Sequence, residues 1–351
     1  MHSRPSSLAN LRGDARRYIQ TSARISAGIC ATFPAAPSAV EAMNAHRPVM
    51  LAQALAGLAL RAGGRYVDAT FGRGGHSAEI LAAIGESGQL HAFDQDPQAV
   101  QYAQMRFGTR ANFRIHACSF ERIAEIAQVE GFAGQIDGVL FDLGVSSPQL
   151  DDAGRGFSFL RDGPLDMRMD PRAGESAAEW LDKARERDIA DVLWRLGEER
   201  HSRRIARAVV RERMSAGRIE TTGRLADIIA AAVPGPRGRI HPATRSFQAI
   251  RIHINRELEM LPAALAAAAS VLAPGGRLCV ISFHSLEDRI VKRYIRDAGL
   301  SERDPVTGAA VPGSGPAVAL KSIGRVFPDD EETASNPRSR SAVLRIAERL
   351  P

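Results

Sequence analysis

Tyr66-Val-Asp-Ala-Thr-Phe-Gly-Arg-Gly-Gly-His-Ser77 decides the fold. A short β-type run reaches an acid, Asp68, and breaks into a glycine-rich turn. A helix pattern opens from that turn near Ser77. Glycines at 72, 74 and 75 allow backbone to approach a ligand where a Cβ would clash. Next outward, Gln89-Leu-His-Ala-Phe-Asp94 is a second β-type run ending in a carboxylate. It follows the loop by about twenty residues, the spacing of an acid that grips a ribose. Together they predict a nucleoside-cofactor site at the carboxyl edge of a parallel sheet.

A dinucleotide oxidoreductase is the first alternative. Its fingerprint requires a third glycine where this chain has Ser77, so the match is incomplete. Asp68 would also repel a pyrophosphate, whereas the sulfonium of S-adenosylmethionine would be attracted to it. The residues favour a methyl donor over a dinucleotide.

Strand patterns are expected at about 65–69, 89–94, 113–117 and 136–142, separated by helical stretches such as 77–84 and 97–107. That alternation implies α/β architecture with a doubly wound, mostly parallel sheet. Ahead of it, Pro48–Leu55 reads as a helix turned into the first strand by Gly63-Gly64. The fourth strand ends at Asp142 and leads into Leu-Gly-Val-Ser-Ser-Pro-Gln149. Asp68, Asp94 and Asp142 thus close three strands on one edge, which a ligand site explains better than three separate caps.

The alternation then stops for more than a hundred residues. Strand character returns at Gly276–Phe283, and 321–327 with 342–348 read as a closing pair. Residues 151–250 are therefore expected to form an inserted helical domain, broken near Pro234-Gly-Pro236, with 43–150 and 251–351 making the sheet domain. Between Arg195 and Arg251 basic residues outnumber acids by more than two to one. Arg200, Arg203, Arg204, Arg207 and Arg211 fall on one helical stripe with Ile205 and Val209 opposite, a candidate contact for nucleic-acid phosphates. Ser285 with Glu287 or Asp288 is expected to cap the helix that follows the fifth strand.

Residues 1–42, rich in Ala, Ser and Arg, read as a disordered, dispensable extension. Residues 301–320 are Gly-, Pro- and Ala-rich and read as a loop. The net charge of +6 suits a polyanionic partner. No apolar run is long enough to span a bilayer, and Cys30, Cys118 and Cys279 are scattered. No membrane partner, disulfide framework or metal is expected, and a reducing compartment fits.

Longer strings carry a resemblance. Asp68–Ser77, Phe141-Asp-Leu-Gly-Val-Ser-Ser-Pro-Gln-Leu-Asp-Asp152, Arg155-Gly-Phe-Ser-Phe159 and Asp162-Gly-Pro-Leu-Asp-Met-Arg-Met-Asp170 are four of them. His241-Pro-Ala-Thr-Arg245, Ser282-Phe-His-Ser-Leu-Glu-Asp-Arg289 and Asn336-Pro-Arg-Ser-Arg-Ser341 are three more. With them, the chain from about His46 onward resembles the bacterial ribosomal small-subunit RNA (cytosine-N(4))-methyltransferases, the RsmH or MraW family. The resemblance implies a Rossmann-like class I methyltransferase using S-adenosyl-L-methionine, with a helical insert that helps recognise the target. It implies cytoplasmic N(4)-methylation of a cytidine in the decoding region of small-subunit (16S) ribosomal RNA, free or in the assembled subunit. Family cofactor contacts carry over onto Gly74, Gly75, His76, Asp94, Phe120, Asp142 and Gln149. The family has no counterpart of residues 1–42, and often has an acid near Gln53.

The exocyclic nitrogen of cytosine is a poor nucleophile, since its lone pair is delocalised into the ring. Transfer needs acceptors that orient the amine, and aligning the two reacting centres supplies most of the rate. Many amino-methyltransferases use an Asp/Asn-Pro-Pro-aromatic motif, and here that place holds Asp142-Leu-Gly-Val-Ser-Ser147. Asp142, Ser146 and Ser147 are the candidate orienting residues. The target base must also leave its stack. A DNA amino-methyltransferase or a non-catalytic, RNA-binding assembly factor are the alternatives, the second disfavoured by the intact loop and acids.

Overall fold

β4, Ile136–Asp142, is buried on both faces and organises the sheet. Its near-continuous apolar run is what a parallel strand covered on two sides requires. The computed structural model describes residues 48–234, 241–299 and 318–351. The extension expected over 1–42, and 301–320 apart from its last three residues, lie outside them.

In chain order come α1 (Leu51–Leu58), β1 (Arg65–Asp68), α2 (Gly75–Ile84), β2 (Gln89–Asp94), α3 (Pro97–Phe107), β3 (Phe113–Ala117), α4 (Ile123–Glu130) and β4. The helical stretch holds α5 (Ser147–Asp151), α6 (Ala177–Lys183), α7 (Glu186–Gly197), α8 (Ser202–Ala216), α9 (Thr222–Ala232) and α10 (Thr244–Ile254). The chain closes with α11 (Glu257–Val271), β5 (Leu272–Ser282), α12 (Ser285–Ala298), β6 (Leu320–Val326), α13 (Asp330–Ser335) and β7 (Val343–Arg349).

The sheet runs β3-β2-β1-β4-β5-β7-β6. The first five strands pair in parallel, and β7 enters antiparallel between β5 and β6. This is the expected Rossmann-like class I methyltransferase sheet. Val139 and Phe141 of β4 point into one core with α4, α11 and α12. Leu140 points into the other, against Leu58, Ile80 and Ala103 of α1, α2 and α3.

Two expected boundaries move. β5 starts at Leu272 because the pairing with β4 passes from Ile136–Leu272 to Gly138–Arg277 across a bulge at 273–276. α1 starts at Leu51 because Met50 is left-handed, with φ 54°, and its amide donates to Glu332. Gln53 donates to the same carboxylate at 3.3 Å, which gives α1 a fixed seat on α13.

The described residues cluster as one compact unit. Within it the helical stretch has an apolar core of its own, from Phe157 through Trp180, Leu193, Ile205 and Leu225 to Ile250. No helix among the described residues is long and apolar enough to cross a membrane.

Candidate cofactor and acceptor site

The register of three strands sets the depth of the three acids. Asp68 lies opposite Ala92 and Leu140, so Asp94 and Asp142 each project two residues further toward the open edge. Asp68 is accordingly 1% exposed. Its carboxylate accepts from Ser77 Oγ at 2.6 Å and from Thr70 N at 3.2 Å. The charge expected to attract a sulfonium is thus spent on the protein's own groups. Asp68 ties the glycine loop to the start of α2, and reaches the edge only through its field.

Asp94 is half-buried and accepts from Gly72 N and Asp96 N, both at 2.8 Å. Each carboxylate oxygen keeps a further lone pair for a ribose hydroxyl. Burial pushes this carboxyl up to about 7, against the opposing pull of those two amides.

Asp96, which sequence reasoning missed, is the hub behind it. One oxygen caps α3 by accepting from Gln98 N at 2.9 Å, and the other accepts from Gln149 Nε2 at 2.8 Å and Arg155 Nη1 at 2.7 Å. An acid directly before Pro97 at a helix start was the signal available. Gln149 is buried, and its amide oxygen accepts from Ser146 N at 2.9 Å. Both ends of its amide are thus engaged by protein, and Gln149 holds the β4–α5 loop to Asp96. Arg155 also donates to the carbonyls of Arg168 and Met169, at 3.0 and 2.9 Å, folding the 155–169 loop over the site.

The glycines answer to the protein's own packing. Gly74 is left-handed with φ 67°, and a Cβ there would stand 2.6 Å from the Phe71 ring. A Cβ on Gly75 would stand 2.4 Å from Pro48. Both contacts are too close for any other residue, whatever ligand is bound.

His76 is buried, with Nε2 3.1 Å from Val49 O. Since a carbonyl only accepts, Nε2 carries the proton, and Nδ1 presents its lone pair 3.7 Å from Asp142 Oδ2. Burial lowers the ring to about 4, so it is neutral. Asp142 is fixed through its backbone amide, which donates to Thr70 Oγ1 at 2.6 Å. Its Oδ1 is buried without a hydrogen-bond partner. Burial, then the charges of Asp68 and Glu287, push its carboxyl up to about 8.

Phe120 opens the short turn after β3, half-buried and edge-on to Phe141 with ring centres 5.6 Å apart. Its remaining exposed area offers a flat apolar surface. Ser146 and Ser147 are half-buried at the start of α5, just beyond Asp142.

The end of β5 differs from expectation. The cap of α12 is His284, whose Nδ1 accepts from Glu287 N at 3.4 Å, and Ser285 lies inside the helix. Glu287 is buried and accepts from Phe283 N at 2.8 Å and His284 N at 3.3 Å. The adjacent His284 side chain, then Arg251 and the Phe283 amide, hold its carboxyl below the usual range despite burial. Arg251 forms a two-bond pair with Glu257, both at 2.9 Å. The three-residue spacing of His284 and Glu287 is that of a capping box, the signal that could have found them.

The donor set fits a sulfonium nucleoside. Burial pushes Asp68, Asp94 and Asp142 up, to about 6, 7 and 8, and a cation beside them would favour their charged forms. Asp94 has lone pairs for a diol, Phe120 has a ring face for a base, and Asp142 has an unused oxygen.

The arginine stripe is largely as expected. Arg203, Arg204, Arg207 and Arg211 are exposed on α8, with Ile205 and Val209 buried behind them. Arg200 is exposed but precedes the helix, so it flanks the stripe instead of extending it. Arg207 has Glu186 at 3.7 Å. Among the described residues the other four have no carboxylate within ion-pair distance.

His91, His116 and Glu130 bring a ligand atom each within 4.8 Å of one another. The two imidazoles face each other nitrogen to nitrogen at 3.2 Å, and burial with the nearby Arg114 lowers both rings, to about 3 and 4. One ring donates an N–H to the lone pair of the other, which commits one nitrogen of each to the protein's own hydrogen bond.

A family model described as the MraW methylase family matches residues 43–350. A ribosomal RNA small subunit methyltransferase H from Thioalkalivibrio sulfidiphilus is 54% identical over 311 residues, 87% of this chain and 98% of that protein. Another, from Xanthomonas campestris, is 53% identical over 308 residues, 87% of this chain and 88% of that protein. Among solved structures, an rRNA methylase from Streptococcus thermophilus covers 91% of this chain and all of its own at 13% identity and a TM-score of 0.38.

Proposed function

The chain belongs to the MraW methylase family of S-adenosylmethionine-dependent methyltransferases, and on that premise we propose that it methylates N(4) of a cytidine in the decoding region of small-subunit ribosomal RNA. The single observation that carries the chemistry is Asp142. It is a strand-end acid with an unused oxygen, beside a neutral histidine and at the edge where Asp94 awaits a ribose. The relatives at 53–54% identity bear the name of ribosomal RNA small subunit methyltransferases, which supports the choice of substrate.

When bound, the cofactor supplies a methyl group on a cationic sulfur. Asp94 holds its ribose, Phe120 lies against its base, and the three acids favour its charge. Asp142 accepts a hydrogen bond from the amine and turns the nitrogen lone pair toward the methyl. No strong base is needed beforehand, because the amine becomes acidic only once methylated. The proton then passes to Asp142, whose high affinity for protons equips it as the acceptor. Ser146 and Ser147 shape the wall of the acceptor pocket, and the helical stretch with its arginine stripe holds the RNA phosphates.

Cytoplasmic small subunits, free of this methyl group, are the proposed substrate. Nucleoside analysis of RNA from a deletion strain tests the reading. Loss of N(4)-methylcytidine from small-subunit RNA, restored by the wild-type chain but not by Asp142→Asn, is expected. An unchanged nucleoside profile refutes it. Transfer to DNA in place of RNA would establish the DNA amino-methyltransferase.

A further inference from the structure

Four buried side-chain polar atoms among the described residues have no hydrogen-bond partner: Asp142 Oδ1, Ser246 Oγ, Ser282 Oγ and His284 Nε2. An unmade buried hydrogen bond costs about 1–3 kcal/mol, so a cluster of them marks a place where a ligand completes the set. Asp142 ends β4 opposite Ile281 of β5, three residues before His284. Ser282 falls on the other face by the alternation of β5, with Val280 and Leu278, and takes no part.

Ser246 lies within α10, on neither of these strands nor the cap that follows β5, and the other two atoms are complementary. His284 Nδ1 accepts from Glu287 N in the cap of α12, so the ring's proton is on Nε2. Nε2 lies 3.2 Å from Glu287 Oε1 but off the line a hydrogen bond needs, and the donor is left open. Asp142 Oδ1 is an open acceptor. Glu287 joins them, since its charge acts on Asp142 and its carboxylate accepts from the backbone amide of His284. The Arg251–Glu257 pair lies near enough for its charges to act on Glu287.

An acceptor ending β4 and a donor just past the end of the paired strand β5 suit the edge of cytosine, where N4–H donates beside N3, which accepts. Uracil presents the reverse, an acceptor at O4 beside a donor at N3. We infer that His284 is a specificity-determining residue: its Nε2–H donates to N3 of the target cytosine while Asp142 accepts from N4, so that the pair reads the base as it orients the amine. The inference rests on the N(4)-cytidine reading above.

His284→Asn separates this role from capping. Asparagine is a strong helix cap and returns an acceptor to Glu287 N, but it has no donor at the Nε2 position. The expected variant is folded, with unfolding temperature and cofactor affinity as in the wild type. Its single-turnover kcat/KM on reconstituted small subunits drops about 10- to 100-fold. His284→Gln, which restores a donor near that position, recovers part of the rate.

The second arm uses subunits carrying 3-deazacytidine at the target, in which N3 is a carbon. Intrinsic reactivity of the analogue cancels in the cycle of two enzymes and two substrates. The analogue-to-cytidine rate ratio is expected to be about 10- to 100-fold lower in the wild type than in His284→Asn. Equal ratios, or a His284→Asn rate matching the wild type on cytidine, overturn the inference alone. A wild-type product other than N(4)-methylcytidine overturns the functional reading and the inference with it.

Discussion

Binding of S-adenosylmethionine is expected to expel protons, and Asp142→Asn to remove most of that release. The carboxyls of Asp142 and Asp94 are pushed up to about 8 and about 7 by burial beside other acids. At pH 7 the first is about nine-tenths protonated and the second about half. A sulfonium and two ribose hydroxyls favour both carboxylates, so the wild type should release about 1.4 protons per cofactor bound. Asp94 owes its shift to burial, Asp96 and Asp68, with no contribution from Asp142, so Asp142→Asn should still release about 0.5. In the cofactor-free protein both folded values are raised. Their contribution to stability is therefore full below the ordinary value of 3.8 and lost as pH rises to about 8. Cofactor affinity accordingly strengthens between pH 6 and 8. Calorimetry in buffers of different ionisation enthalpy measures the protons directly. A wild-type heat that does not depend on buffer, or an Asp142→Asn release equal to wild type, would refute the assignment.

Asp94→Ala should weaken cofactor binding by about 1–3 kcal/mol in the same calorimeter, the cost of lost charge-assisted bonds, and unchanged affinity in a folded variant would exclude the ribose role. Arg155→Leu leaves the buried Asp96 carboxylate without its cation, and should lower unfolding free energy in urea by about 3–5 kcal/mol; a loss below about 1 would mean the pair is not a strut. Replacing Arg203, Arg204 and Arg211 with Gln should flatten the salt dependence of RNA binding by about two units of slope while sparing cofactor affinity. An unaltered slope would make the stripe an ordinary solvated face. A chain beginning at Met43 should methylate like the full one, and a loss of rate would assign residues 1–42 a function.

The strands, their order of appearance and the acids that close three of them are local properties, and were legible as such. An apolar run of four to seven residues ending in Asp signals a buried parallel strand and its exposed end in any context. The closing pair 321–327 and 342–348 came within a residue of β6 and β7 for the same reason. The long resemblances implied cofactor contacts residue by residue at the same edge. What those residues do there was less legible. Gly74 and Gly75 pointed to a ligand by their spacing, yet Phe71 and Pro48 forbid a Cβ at both.

The sequence by itself determined the sheet and the charges available to the site. Tertiary structure alone decided which charges are spent and which are open. Asp68 and Asp142 are alike as strand-end acids, but a two-residue difference in depth gives one to Ser77 and leaves the other with an orphaned oxygen. Asp96 meets Gln149 and Arg155 across 53 and 59 residues, and Glu287 acts on Asp142 from the far side of the helical stretch. Propensity and periodicity act over a few residues. Desolvation and pairing depend on whatever the fold brings within a few ångströms, and these set protonation, and with it the chemistry.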